Sequence, residues 1–149
     1  LAWIPPVFAT VGGLFGGWLT LRWSKGRSDV TPARLRVILI GSVLLLAGGL
    51  VPLMPTPELA TAFICLSFFA CLVSSVNLYA LPLDLFGVRS AGFAVAGLTS
   101  AYGLLQGVFS SAVGRVVDRY GFTPVCFAVA VLPMASWLVL YLALRRKPA

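Results

Sequence analysis

Five uncharged, apolar stretches follow one another along the chain: Leu1–Leu21, Val37–Met54, Leu59–Leu83, Ser90–Gly114 and Tyr120–Leu144. Every charged residue falls between or after them. A bilayer core of about 30 Å needs about 20 helical residues at roughly 1.5 Å each. Each stretch is close to that length or longer, and the shortest, the second, draws on flanking residues such as Leu35. A Lys, Arg or Asp at mid-span costs about 2.5–3.5 kcal/mol on insertion scales, which keeps charge out of spans. Membrane strands would need segments of about ten residues with alternating polarity. These stretches are too long and too uniformly apolar for that. The pattern predicts an all-α polytopic membrane bundle of five transmembrane helices, spans one to five, over about 1–21, 37–54, 59–83, 90–114 and 120–144.

Composition agrees. Of 149 residues, 60% are hydrophobic and 10% charged, with a mean hydropathy of +1.01. Soluble domains carry roughly 25% charged residues. This chain has too few polar residues to cover a soluble surface, so lipid is the solvent for much of it.

The eleven basic residues give an orientation. Arg22, Lys25, Arg27, Arg34 and Arg36 follow span one, Arg89 follows span three, and Arg145, Arg146 and Lys147 form the tail. On the other side stand only Arg115 and Arg119, after span four. The positive-inside rule puts the C-terminus in the cytoplasm and Leu1 outside. The net charge of +7 then reports topology and contact with anionic lipid, not nucleic-acid binding, because the basic residues sit in short loops beside spans. The chain opens directly on an apolar run, without Met or a basic signal-peptide n-region. It is expected to be a truncated piece.

Two spans carry small-residue seams. Gly12, Gly13, Gly16 and Gly17 form two overlapping G-x-x-x-G pairs in span one. Ala96, Ser100, Gly103, Gly107, Ser110 and Gly114 line one face of span four. Small residues let membrane helices approach closely, so both faces are expected against other helices. They serve either as ordinary packing or as surfaces that slide during transport. Span three is polar along part of its length, with Ser67, Cys71, Ser74, Ser75, Asn77 and Tyr79. An Asn inside a span needs a partner or water. Ser74 and Asn77 share a face, as do Ser75 and Tyr79, and in span four Tyr102 and Gln106. These groups are packing glue between helices or the wall of a substrate cavity.

Catalytic chemistry is poorly supported. The chain has no His, and its acids, Asp29, Glu58, Asp84 and Asp118, lie in loops or at span ends. No Ser has a neighbouring base, and the three cysteines form no CxxC pair. A membrane-embedded enzyme, a metal site or a cofactor is therefore not expected. No span carries a carboxylate that could relay protons.

The loop after span one reads Gly17-Trp18-Leu19-Thr20-Leu21-Arg22-Trp23-Ser24-Lys25-Gly26-Arg27. It resembles the G-x-x-x-D-R-x-x-x-G-R loop signature of the major facilitator superfamily, with Leu21 at the acidic position. Tyr79 to Gly92 resembles the end of the tenth helix and the following loop in that superfamily's anion:cation symporter group. Gly114 to Phe122 resembles the link between the last two helices of the group. Phe8 to Arg34, with its paired glycines and Thr31-Pro32-Ala33-Arg34, is similar to the hexuronate transporters of the group.

The resemblance implies that the five spans are helices eight to twelve, in the C-terminal half of a twelve-helix fold. The N-terminal half of the same chain is then missing from the segment. In this family the loop between helices eight and nine and the C-terminus are cytoplasmic, as the charges independently suggest. The resemblance implies a multi-pass protein of a bacterial inner membrane. Its two halves would rock about a midplane site, moving a small organic anion such as a sugar acid with a proton or sodium ion.

The helix-ten aromatic that enters the cavity in this group, commonly Trp, is Tyr79 here. A helix-eleven Asn that faces substrate is replaced by Gly103, which shifts that contact toward Tyr102 or Gln106. Ser74, Asn77, Tyr79, Tyr102 and Gln106 are thus the substrate-cavity candidates, and Arg22, Asp84 and Arg89 the cytoplasmic gating candidates. An ion pair from Asp84 could hold the cytoplasmic face shut, or these charges could simply anchor the interface. The competing reading is a complete five-span structural or assembly protein without transport activity.

Overall fold

The computed structural model describes residues 3–26 and 28–145. Arg27, Arg146 and Lys147 of the positively charged side lie outside the described residues. Helix α1 spans Ile4–Ser24 and α2 Thr31–Leu45, the latter continuing as a 3-10 segment over Leu46–Leu53. Helix α3 spans Pro57–Tyr120 and α4 Thr123–Arg145. All regular structure among the described residues is helical.

Local chemistry explains the boundaries. Pro5, Pro32 and Pro57 stand in the first turns of α1, α2 and α3, where a missing N–H costs nothing. Asp29 Oδ1 accepts the Thr31 N–H at 2.9 Å, and Thr56 Oγ1 accepts the Leu59 N–H at 3.4 Å. Helix α2 tightens to 3-10 geometry where Gly48, Gly49 and Pro52 meet, since glycine is a poor helix former and proline cannot donate. The two glycines also admit neighbours. A Cβ at Gly48 would stand 2.7 Å from Ser67 Oγ, and one at Gly49 3.2 Å from the Ala130 Cβ.

Among the described residues four helices are long and apolar enough to cross a membrane, not the five expected. The third and fourth apolar stretches both fall within the 64 residues of α3. At about 1.5 Å per residue, an unbroken helix of that length would reach roughly 96 Å, about three bilayer cores. The run is broken at Gly87, with φ 70° and ψ 173°, a backbone region essentially confined to glycine. Pro82 weakens the helix one turn earlier. The break lies within the charged interval from Asp84 to Arg89 that the sequence pattern reads as a loop.

The bundle is built around the first part of α3, where Cys65, Ala70, Val73, Asn77 and Leu81 are buried. Helix α1 lies on one side of it: a Cβ at Gly12 would overlap the Phe69 carbonyl, and one at Gly16 would stand 2.8 Å from Val73 O. Helix α2 lies on another side, where Gly41 makes room for the Ser74 hydroxyl and the Ala70 carbonyl. Val37, Ile38, Ala33, Ala70, Val73 and Leu81 form the buried core. Of the two G-x-x-x-G pairs in α1, Gly12/Gly16 is the seam. Gly17 has nothing within 4 Å of a Cβ position, and Gly13 only ordinary van der Waals neighbours.

The expectation for the span-four face is not met among the described residues. Ala96, Ser100, Gly103, Gly107, Ser110 and Gly114 are all exposed, and a Cβ at Gly103, Gly107 or Gly114 would have nothing within 4 Å. The close glycine contacts that α1 and α2 make with α3, at Phe69, Ala70, Val73 and Ser74, all precede Gly87.

Candidate functional site

A line of polar side chains runs through the contact between α1, α2 and α3. Asn77 is fully buried at 0% exposure, with Thr20 at 2%. Thr20 Oγ1 donates to Asn77 Oδ1 at 2.5 Å, and Arg34 Nη1 reaches the same oxygen at 3.5 Å. Asn77 Nδ2 donates to Val73 O at 2.9 Å and across the helix contact to Gly16 O at 3.3 Å. Glycine at position 16 is what allows that approach, since a Cβ there would stand 3.3 Å from Asn77 Nδ2.

Arg34 continues the line to Asp84. Its Nε donates to Asp84 Oδ2 and its Nη2 to Oδ1 at 3.4 Å, a two-pronged pair of the kind guanidinium geometry favours. The side chains are 16% and 18% exposed, so protein rather than water surrounds most of the pair. It is the ion pair found among the described residues. The partner of Asp84 is thus Arg34, at the start of α2. Arg22 instead lies over the Trp18 ring at 5.7 Å, and Arg89 is exposed. The pair also brings the start of α2 and the end of the first part of α3 to one side of the bundle.

Beside this line, α2, α3 and α4 enclose an open cleft of about 690 Å³. Its polar lining includes Ser42, Ser74, Ser75, Ser136 and the indole of Trp137, set among leucines, and among the described residues no Lys or Arg lines it. Two of the hydroxyls also brace the bundle. Ser42 Oγ reaches Ile38 O at 2.8 Å and Pro133 O at 3.3 Å, and Ser74 Oγ reaches Ile38 O at 3.4 Å. Trp137 Nε1 donates to Leu35 O at 2.9 Å, its ring stacks on Tyr141 at 5.2 Å, and Arg145 lies over Tyr141 at 5.6 Å. The cleft offers a few hydroxyls and one indole in a mostly apolar lining.

The cavity candidates do not converge. Ser74 lines the cleft, while Asn77 is sealed in the helix contact. Tyr79 and Tyr102 are 37% and 57% exposed; neither they nor Gln106 line a described pocket. Sequence reasoning did not single out Thr20, Ser42 or Trp137. Thr20 had a signal, since it continues the Gly12, Gly16 spacing by one more turn. Trp137 also had one, as an indole within a span must find an acceptor.

Long apolar helices, glycine seams and an internally satisfied polar line define an integral, multi-pass α-helical membrane protein. The chain is 32% identical, over 151 positions, to the hexuronate transporter of Escherichia coli K12, covering 99% of this chain and 34% of that protein. The hexuronate transporter of Escherichia coli O157:H7 gives the same figures. A probable sulfoacetate transporter of Cupriavidus necator is 29% identical over 132 positions, covering 85% of this chain and 30% of that protein. The chain therefore spans about a third of the length of the relatives it matches. No protein-family model matches it, and no solved structure does. These relatives bear out the resemblance to major facilitator transporters of the hexuronate type drawn from the loop motifs. They are named as transporters, in keeping with a non-enzymatic chain.

Proposed function

We propose that this chain is the C-terminal part, residues 1–149, of a secondary transporter that moves a small organic anion by alternating access. The observation that carries the proposal is the 32% identity, along 99% of the chain, to a protein named for hexuronate. The second relative is named for sulfoacetate, which shares with a hexuronate a small polar frame bearing an anionic group. A sugar acid is the substrate class, with a proton or sodium ion as the coupling partner.

In this reading α3 serves as two spans hinged at Gly87, giving five crossings. The positions of the helix ends support it. Asp84 pairs with Arg34 at the start of α2, whereas the early part of α4 meets the far end of that element, Ala130 lying against Gly49. Residues 88–120 therefore have to travel from one end of the bundle to the other. Trp137 bonds back to Leu35, which sets the end of α4 on the side of the basic loop, taken as cytoplasmic.

The serine-lined cleft around Ser74 holds the hydroxyl-bearing part of the substrate, and Tyr79, Tyr102 and Gln106 face the opposing half of the protein. Among the described residues no cation lines the cleft, and in this reading the substrate's negative charge is met from that other half. The exposed seam at Gly103 and Gly107 lies against it too. Uptake into proteoliposomes by the full-length protein tests the reading, with hexuronates, sulfonates and neutral hexoses under imposed proton or sodium gradients. Saturable, gradient-dependent uptake of a carboxylated sugar but not of neutral hexoses is expected. No uptake of any organic anion under either gradient would refute it.

A further inference from the structure

The turn after α1 forms a second site, independent of the transport reading. Arg22, Trp23, Lys25 and Arg36 line an open cleft of about 380 Å³. Three cations converge there without a carboxylate within ion-pair distance among the described residues. The acid of this loop, Asp29, is spent on the Thr31 N–H, and Asp84 is spent on Arg34. Arg22 is held in place from below, its guanidinium lying over the Trp18 ring at 5.7 Å.

Like charges gathered around one hollow repel unless an anion sits between them. The site's depth limits which anion that is. Arg22 and Trp23 lie in the last turn of a 21-residue apolar helix, where a span leaves the hydrocarbon and enters the headgroup layer. Half-exposed Trp rings favour that layer. Two guanidiniums grip the oxygens of a phosphate in paired hydrogen bonds, and an ammonium adds a point charge.

We propose that Arg22, Lys25 and Arg36 form a binding site for a phosphate oxyanion at the membrane surface, with Trp23 packing against whatever carries it. An anionic glycerophospholipid or a soluble phosphate supplies the same chemistry.

The test uses the full-length protein in detergent with equal phosphatidylglycerol and phosphatidylcholine, counting retained lipids by native mass spectrometry, with inorganic phosphate as competitor. Phosphatidylglycerol is retained in preference to phosphatidylcholine. Removing one surface charge weakens binding about 5-fold, and removing three weakens it on the order of 100-fold. Arg22→Gln/Lys25→Gln/Arg36→Gln therefore abolishes the preference, while Arg22→Lys/Arg36→Lys keeps it. Retention against inorganic phosphate assigns the site to the headgroup, and displacement by it assigns the site to soluble phosphate. Either supports an oxyanion site. Equal retention of both lipids with no effect of phosphate overturns the proposal. Should the triple variant fail to fold, Lys25→Gln in the exposed turn decides, and unchanged affinity there overturns it as well.

Discussion

Asn77 is the residue on which the polar line depends. Its amide oxygen is shared by Thr20 and Arg34, and its nitrogen holds Gly16 and Val73. Truncation would remove these bonds from a buried helix contact, at about 0.5–1.5 kcal/mol for each. Asn77→Ala is expected to lower the thermal midpoint of the full-length protein in detergent by several degrees. Thr20→Val should cost less, about 1 kcal/mol, and combining it with Asn77→Ala should add little, because the two share one bond. Full additivity in the melting data would argue against the shared bond. At the other end of the line, Arg34→Asp and Asp84→Arg each place like charges together and should destabilise that end of the bundle. The doubly exchanged variant should recover part of the loss. Thiol labelling of Arg89→Cys from that side reads this out: faster labelling in the single variants and slower in the exchanged one supports a latch. The sequence showed that an Asn in a span needs a partner. It could not say which, because Thr20 and Arg34 lie 57 and 43 positions away.

Among the elements, α1 and the first part of α3 depend on glycine at two positions in particular. Gly12→Ala and Gly16→Ala meet backbone atoms of Phe69 and Val73 that cannot yield easily. Each should cost about 1–3 kcal/mol, as overpacking does. Gly17→Ala, with open space around it, should be close to neutral in the same melting assay. Equal losses at positions 16 and 17 would contradict the seam. Gly87→Ala adds no clash but forces a side chain to φ 70°, at a cost of about 1–3 kcal/mol. Limited proteolysis should then show a changed cleavage pattern around residues 84–89. Both overlapping glycine pairs were legible in the sequence. Which of them packs was not, because a shift of one residue turns a helix face by about 100° and only the neighbouring helix selects the face.

At the scale of the whole molecule, the five-crossing reading predicts that the 149-residue chain alone performs no gradient-driven uptake in liposomes. Among the described residues, the cleft it encloses lacks a cation, and the seam of span four lacks a neighbour. Uptake by that segment equal to that of the full-length protein would overturn the division of labour. By itself the sequence determined the membrane environment and the helical class. These follow from transfer free energies and chain chemistry that act residue by residue along the chain. Tertiary structure decided which glycines touch, which carboxylate Arg34 takes, and which hydroxyls line a cleft. It also left the span-four face uncovered, where the small-residue spacing alone suggested burial. Such choices depend on which surfaces arrive opposite one another, and a pattern of small residues on one helix does not encode its partner's position.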